Sequence, residues 1–448
     1  MRVRDMTRGS ATGLILSTAL PLMLGNMFQQ LYTIVDASVV GRGIGLQALA
    51  ALGSADWFNW LFFSIALGFA QGFSIPVAQA FGAKDYAELR RVAGNALFLG
   101  MLTSMAITVI ALLVISPVLR LMGTPDEVMP MAAAYLRVLF SGIPVVMAYN
   151  LLAGMLRALG DSHSPLLAMM LSSIVNMLLD CVFVFGFGWG VESAAAATVI
   201  AQAASFVFCL LRLRKVGFMR LRREDCFPDR AHGLRLIRLG TPISAQNAVI
   251  AVGGMIVQTV VNAMGVAFIA GYTATNKLYG LLEIAAVSYG YAISTYAGQN
   301  LGARRMDRVR EGIRAGLVSG TVTALGIAAA MLIFGRSILS LFIEESGADA
   351  LDIAYEFLTI MACCLPILYV LYVYRSALQG MGNTLMPMVS GIVEFVMRTG
   401  AAFILPGIIG YTGLFWAEVL AWTGADLILI PSYYRMYARQ ASESSFQV

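Results

Sequence analysis

The sequence predicts an all-α membrane protein with twelve transmembrane helices in two six-helix lobes, related by a pseudo-two-fold axis along the membrane normal. Composition, the length of the apolar runs and an internal repeat indicate this fold. Of 448 residues, 59% are hydrophobic and only 12% are charged, whereas a soluble domain carries about 25% charged residues. The charges lie between long apolar segments, which is the pattern of a multi-pass chain.

Twelve apolar segments are long enough to cross a bilayer as helices, since about 20 residues span the hydrocarbon. The predicted spans are residues 12–38, 46–74, 92–117, 131–156, 165–187, 192–213, 237–262, 266–297, 313–336, 352–378, 386–408 and 412–434. Barrel strands are excluded because they alternate over about ten residues. The first run has no small-residue cleavage site, so we interpret it as a retained span rather than a signal peptide.

The two halves of the chain resemble each other at a nearly constant offset. The stretch QAFGAKDYAELRRVAGNAL (79–97) aligns with QNLGARRMDRVREGIRAGL (299–317), and RALGDSHSP (157–165) aligns with QGMGNTLMP (379–387). Six spans per half start both halves on the same side, which is the arrangement of parallel-repeat transporters. We therefore expect an N-terminal lobe at 1–213, a cytoplasmic linker at 214–236, and a C-terminal lobe with a short tail at 237–448.

The basic residues predict that both termini are cytoplasmic. With the N-terminus inside, the cytoplasmic segments hold 24 of the 30 Lys and Arg residues, Arg375 among them, and the outside loops hold three. This asymmetry follows the positive-inside rule. The net charge of +5 is thus explained by topology and gives no reason to expect nucleic acid. We expect a monomer in the inner or plasma membrane, in contact with lipid.

Ionisable residues inside the apolar runs are candidates for function, because a charge at mid-membrane costs about 2.5–3.5 kcal/mol on insertion scales. Asp36 lies late in the first span, one turn after Tyr32. Asn176 and Asp180 are four residues apart and share one face of the fifth span. At the helical rise, both acids fall in the outer half of the bilayer. Thr198 on the sixth span could add a hydroxyl group.

These residue types suit a proton or a small hard cation. Two close carboxylates favour holding one proton between them, and oxygen ligands suit hard cations. We hypothesise a coupling site for H⁺ or Na⁺, with Na⁺ at Asp36, Asn176, Asp180 and Thr198, and no other cofactor. In the structural alternative, Asp36 marks the helix end among lipid headgroups and Asp180 forms a hydrogen bond to a neighbour.

The second half lacks acids at the matching positions, because Asp180 aligns near Ala402 and Asn176 aligns with Arg398. Glu394 and Arg398 are four residues apart, which predicts an ion pair within the eleventh span. Such a pair is often structural. Further candidates for a cavity or for structural polar contacts are Tyr32, Asp56, Lys277, Glu283, Glu394 and Arg398.

Several of these motifs resemble the multidrug and toxic compound extrusion (MATE) family. They are LPLMLGNMFQQLYTIVDASVVG (20–41), VAQAFGAKD, RALGDSHSP leading to SSIVNMLLDCVFVFG, AGQNLGARR and LQGMGNTLMP. The resemblance covers essentially the whole chain. It implies an alternating-access antiporter that exports small organic, often cationic and lipophilic, compounds in exchange for Na⁺ or H⁺. It also implies that Asp36, Asn176 and Asp180 form the coupling site of the first lobe, joined by Thr198 as in some relatives.

Other functions fit the sequence less well. A channel is possible, but a parallel duplication offers no obvious filter ring. A flippase for lipid-linked or amphipathic substrates, with the same two-lobe architecture, would favour extra helices or a strongly basic cavity. Away from the ends of the spans, the basic residues are only Arg137, Lys277 and Arg398. An enzyme is disfavoured because the chain has no GxSG-type serine context, no HExxH motif and no histidine inside a span. A phosphate-binding loop for ATP-driven pumping is also missing.

Overall fold

The computed structural model describes residues 3–340 and 348–445. Within these ranges the chain is helical and contains no β-strand. The helices are α1 (Ala11–Gly43), α2 (Leu46–Gly82), α3 (Tyr86–Leu121), α4 (Met129–Ser141), α5 (Ile143–Ala158), α6 (His163–Asp180), α7 (Glu192–Arg214), α8 (Arg230–Asn262), α9 (Val266–Gly302), α10 (Met306–Leu339), α11 (Ala348–Gly380), α12 (Leu385–Ile404), α13 (Pro406–Ile409) and α14 (Thr412–Ser445).

Each predicted span coincides with one helix or with two consecutive helices. The fourth span is the pair α4 and α5, which are bent by 45°. Pro144 lies in the first turn of α5, where its missing N–H group removes one backbone hydrogen bond and permits the bend. The fifth span is α6 continued by a π-helical turn, Cys181–Gly186. The eleventh is α12 followed by α13.

Most of these helices are suited to a membrane. In the described part of the chain, ten helices are long and apolar enough to cross a bilayer, or eleven when the bent pair counts as one span. The remaining predicted span, α9, is a continuous helix of 37 residues. Lys277, Glu283 and five tyrosines reduce its hydropathy. The twelve-span plan of a multi-pass protein therefore accounts for every long helix.

The backbone confirms the internal duplication. Of the ten described residues with a positive φ, eight form four matched pairs: Gly45 (φ 122°) with Gly265 (94°), Lys84 (60°) with Arg304 (57°), Gly160 (77°) with Gly382 (87°), and Gly188 (66°) with Gly410 (73°). The hydrogen bonds match as well. Lys84 N–H donates to Phe81 O at 3.0 Å, and Arg304 N–H donates to Leu301 O at 2.9 Å. The repeated sequence thus builds the same turns twice.

Two compact units make up the chain. The first comprises Met1–Asp5 and Pro21–Ala248, and the second comprises Met6–Leu20 and Val249–Val448. The units differ from the predicted lobes in residues 6–20, which group with the second unit, and in residues 237–248, which group with the first. The lobe boundaries themselves stay a prediction.

Each unit has its own packed interior. In the first unit, Phe58 and Phe62 of α2 meet Phe140 of α4 with ring centroids 5.2–5.3 Å apart. Glycine lets α2 approach α8 closely, since a Cβ at Gly72 would lie 2.4 Å from Gly240 Cα. Small residues at helix contacts are common in membrane bundles. In the second unit, stacked aromatic rings of α9, α11 and α14 fill the interior: Phe268, Tyr272, Phe357 and Phe415.

The predicted linker, 214–236, is ordered against α3. Asn95 accepts a hydrogen bond from the Asp229 N–H at 2.8 Å and donates to Phe227 O at 3.4 Å. His232 contacts the carboxylates of Glu88 and Asp229, with its Nε2 2.9 Å from Glu88 Oε2. The segment ends in the first turns of α8, which begins at Arg230 rather than after residue 236.

Candidate ion-binding site

Asp36 of α1 and Asp180 at the end of α6 meet inside the first unit. Their side chains are buried, with 7% and 0% of their surface exposed. The two carboxyl groups lie within hydrogen-bonding range of each other. Among the described residues, no group donates a hydrogen bond to either oxygen of Asp180 or to Asp36 Oδ1. Since buried polar atoms are normally paired, this pair has acceptor capacity for a proton or a cation.

Two glycines of α1 permit the close packing that brings Asp36 and Asp180 together. A Cβ at Gly25 would lie 2.5 Å from Met169 Sδ, and a Cβ at Gly43 would lie 2.2 Å from Val184 Cγ1. The two glycines flank Asp36 along α1 and hold that helix close to α6 and to the π-helical turn. Asp180 is the last α-helical residue before this turn. Turns of this type are frequent at functional sites.

Asn176 and Thr198 extend the site along α6 and α7. The Asn176 side chain is 1% exposed, and its Nδ2 donates to Thr198 Oγ1 at 3.3 Å. Its Oδ1 is buried and has no hydrogen-bond donor among the described residues. Ser205 Oγ of α7 donates to Ala168 O of α6 at 2.6 Å, which fixes the two helices. An amide and a hydroxyl oxygen therefore lie one turn from the carboxyl pair.

Tyrosines surround the carboxyl pair. Tyr32, which is half-buried, and Tyr135 of α4, which is buried, both interact electrostatically with Asp36 and Asp180. Asp56 of α2 is exposed and also acts on Tyr135. Sequence reasoning missed Tyr135 because a tyrosine in an apolar run gives no motif or spacing signal. Its one clue is that a buried tyrosine hydroxyl usually needs a polar partner.

The second unit holds a network of ion pairs. Glu394 of α12 accepts hydrogen bonds from Arg375 Nη2 at 2.6 Å and from Arg398 Nη2 at 3.0 Å. Arg398 Nη2 also lies 2.9 Å from Glu418 Oε2 of α14. The predicted pair of Glu394 and Arg398 is confirmed. Because the network links α11, α12 and α14, it fixes these helices relative to one another.

Arg375 corrects an expectation. The positive-inside count assigned it to a cytoplasmic segment, but it lies within α11, is buried, and is paired with Glu394. The count took Arg375 for a loop residue because it falls near the end of its apolar run, where a base usually marks a loop. Burial of Glu394 on a neighbouring helix instead requires a guanidinium at that depth.

The remaining charged residues of the second unit differ in their partners. Glu283 of α9 accepts a hydrogen bond from Tyr372 OH at 2.7 Å. Lys277 is exposed and joins no ion pair with a described residue. Asp426 of α14 is buried, and its Oδ1 has no donor in the described part of the chain. Sequence reasoning overlooked Asp426, a single acid in WTGADLILI, because it has no charged neighbour at helical spacing.

The described residues contain no group of three or more His, Cys, Asp or Glu side chains that could hold a metal ion. A transition metal would need such a set of ligands. The Asp36–Asp180 pair and its amide and hydroxyl neighbours offer oxygen atoms, which suit a proton or a hard cation.

Comparison with known proteins gives a consistent result. The MatE family model matches residues 21–182 and again 242–404, once in each half. The Bacillus subtilis "Probable multidrug resistance protein YoeA" is 31% identical over 431 residues, which cover 93% of this chain and 91% of that protein.

Two solved structures share the fold. "Crystal structure of MATE in complex with MaL6" superposes with a TM-score of 0.92 at 23% identity, over 99% of this chain and 100% of that one. A MOP superfamily transporter from Pyrococcus furiosus, described as having a binding pocket of reverse polarity, gives 0.91 at 24% identity, over 98% and 99%. The chain therefore belongs to the MatE family of multidrug efflux transporters and is a multi-pass protein of the bacterial plasma membrane, not an enzyme.

Proposed function

We propose that this chain is a secondary active antiporter that exports organic, often cationic and lipophilic, compounds in exchange for Na⁺ or H⁺ by alternating access. The observation that carries the proposal is the contact between Asp36 and Asp180, two buried carboxyl groups without a basic partner among the described residues. The similarity to a probable multidrug resistance protein of Bacillus subtilis supports export of small organic compounds.

The carboxyl pair supports coupling because its two loading states differ in energy. Two carboxyl groups can hydrogen-bond to each other only when one is protonated, and a cation between them would have the same neutralising effect. When the ion leaves, the two carboxylates repel each other; two like charges at about 4 Å repel by about 4 kcal/mol at an effective dielectric constant near 20. This repulsion favours a different packing of α1 against α6. Ion occupancy can thus bias a conformational equilibrium, as coupled transport requires.

The neighbouring oxygens would decide which ion is used. Asn176 Oδ1 and Thr198 Oγ1 would complete an oxygen cage for Na⁺ together with the two carboxylates. A proton needs neither of them. Thr198→Val should therefore weaken Na⁺-driven efflux severalfold if Na⁺ is the coupling ion, and it should leave H⁺-driven efflux close to that of the parent protein.

The proposal is tested with purified protein in liposomes, using the lipophilic cation ethidium as the transported probe. Efflux is driven by an imposed Na⁺ gradient or by an imposed pH gradient, applied separately. We expect one gradient to drive efflux in the parent protein, and Asp36→Asn and Asp180→Asn to reduce it to the protein-free rate. Asp352→Asn is the control, since Asp352 is exposed in an ion pair with Arg336. Normal driven efflux in both site variants would overturn the mechanism.

The orientation and assembly state belong to the same proposal. Both termini are cytoplasmic, the protein acts as a monomer, and no cofactor is needed besides the coupling ion. The basic residues of the loops support the orientation, and a protease-accessible tag at each terminus would test it in sealed vesicles. The second unit's buried network does not support the flippase alternative, because its acids outnumber its bases.

A further inference from the structure

The acids and bases of the network around Glu394 in the second unit do not balance. The network contains two guanidinium groups, Arg375 and Arg398, and four carboxyl groups, Glu283, Glu394, Glu418 and Asp426. Glu394 and Glu418 have guanidinium partners, and Glu283 has the Tyr372 hydroxyl. Asp426 is the member whose buried oxygen has no hydrogen-bond donor among the described residues.

Asp426 is buried among charged groups of two other helices. Its side chain is 7% exposed, so solvent does not neutralise it. Arg375 of α11 and Glu394 of α12 act on it electrostatically, and the Tyr374 phenol of α11 interacts with it as well. From α10, which also packs against α14, Arg310 and Arg314 act on Tyr433, two turns further along.

Arg375 is the group that could pair with Asp426, but it is engaged elsewhere. Its Nη2 donates to Glu394 Oε2 at 2.6 Å. Its Nε is buried and has no acceptor among the described residues. An ionised carboxylate left unpaired in such a place costs several kcal/mol. A protonated carboxyl group avoids most of that cost.

We propose that Asp426 is a second proton-binding site of this protein, located in the second unit and separate from the Asp36–Asp180 pair. Asp426 holds its proton while Arg375 is paired with Glu394. When the O–H bond breaks, the proton passes to water, and the resulting carboxylate takes a hydrogen bond from the free Nε–H of Arg375. The two carboxylates thus compete for the positive charge of one guanidinium, because the negative charge of Glu394 offsets the stabilisation that Arg375 gives to ionised Asp426.

The competition predicts opposite effects for two neutral substitutions around Asp426. Arg375→Gln removes the cation that stabilises the ionised form, so Asp426 should keep its proton to a more alkaline pH. Glu394→Gln removes the competing carboxylate and releases Arg375, so Asp426 should lose its proton at a more acidic pH. A purely structural role for Asp426 predicts neither shift.

The test is an infrared pH titration of purified protein that follows the stretching band of protonated carboxyl groups. The background variant carries Asp36→Asn and Asp180→Asn, which removes the carboxyl pair of the first unit from the spectrum. We expect this background to keep a band that titrates above the range of ordinary carboxyl groups, which is about pH 3–5. Asp426→Asn should abolish this band, and Arg375→Gln and Glu394→Gln should shift its titration in opposite directions. Asp352→Asn should leave it unchanged.

Two results would overturn the proposal: a band that survives Asp426→Asn, or shifts of the same sign in Arg375→Gln and Glu394→Gln. The second comparison does not depend on whether Asp426→Asn folds. The titration measures no transport and is made on protein that lacks the Asp36 and Asp180 carboxyl groups. Its outcome is therefore independent of whether that pair couples efflux to an ion.

Discussion

In the first unit, Asp36 and Asp180 meet without a basic partner among the described residues, whereas in the second unit Glu394 is held between Arg375 and Arg398. The turns that frame these helices are nevertheless the same in both halves, down to the left-handed residues Lys84 and Arg304.

Matched positions explain the difference. At the offset of 222 that relates Gly188 to Gly410, Asp180 corresponds to Ala402 and Asn176 to Arg398. At the offset that relates Pro21 to Pro242, Asp36 corresponds to Val257, which is buried. Duplication therefore preserved the backbone while the buried charges diverged. The comparison teaches that a shared fold fixes where helices turn, and that individual side chains decide which half can bind an ion.

The largest expected effect is on transport. It tests whether Asp36 and Asp180 act as one site. Asp36→Asn, Asp180→Asn and the double variant should all reduce ion-driven ethidium efflux to the same background rate, because either loss removes the pair. Effects of residues that act as a unit are not additive. Efflux rates in liposomes for the three variants check this. A double variant much slower than either single variant would mean two independent sites.

The next effect is on stability and contrasts the two units directly. Glu394→Ala leaves Arg375 and Arg398 buried without their shared carboxylate, and breaking a buried ion pair in this way costs about 3–5 kcal/mol. Asp180→Ala instead relieves the contact between two acids, so it should not lower stability by a comparable amount. Thermal unfolding of the detergent-solubilised protein compares the two variants. Equal losses of stability would contradict the distinction between a structural network and an ion site.

A smaller effect on stability tests the feature that the two halves share, which is the repeated turn. Lys84 has φ 60° between α2 and α3. A left-handed conformation costs a non-glycine residue about 1–2 kcal/mol, and glycine loses about 0.5–1 kcal/mol of that gain through its greater unfolded-state freedom. Lys84→Gly should thus stabilise the protein slightly, by about 1 kcal/mol or less, whereas Lys84→Ala should not. The melting temperatures of the two variants measure this difference in stability. A Lys84→Gly variant that melts below Lys84→Ala would show that the turn is unstrained.

The smallest effect concerns pH at the linker of the first unit, which has no histidine counterpart in the second half. Partial burial lowers the pKa of His232, but hydrogen bonds to Glu88 and Asp229 outweigh it and raise this pKa above its usual range. The contact therefore stabilises the fold below about pH 6.5 and weakens as pH rises through the elevated pKa. Because the groups are partly exposed, the effect is about 0.2–1 kcal/mol.

His232→Gln should flatten the dependence of the melting temperature on pH between about pH 6 and 8, the range in which histidine titrates. His163→Gln serves as the matched control, since His163 at the start of α6 is the other histidine of the chain. An unchanged pH profile in His232→Gln would show that the His232 contact does not make stability depend on pH.

Much of this molecule follows from its sequence. Apolar length and the repeat predicted every span, and helical rise predicted that Asp36 and Asp180 lie at similar depth. What sequence could not predict depends on how separate helices pack. Arg375 and Asp426 interact with Glu394, which lies on another helix, and Tyr135 interacts with two acids of α1 and α6. These partners are far from them in sequence. The π-helical turn after Asp180 likewise has no signal in VFVFG.

The most direct test of the central account measures ions rather than substrate efflux. Purified protein is loaded with Na⁺ or titrated with protons, ethidium is added, and the release of the ion is recorded. We expect the parent protein and the Asp352→Asn control to release the coupling ion, and Asp36→Asn and Asp180→Asn to release none. Full release by Asp36→Asn and Asp180→Asn would contradict the claim that the driving ion binds at this carboxyl pair.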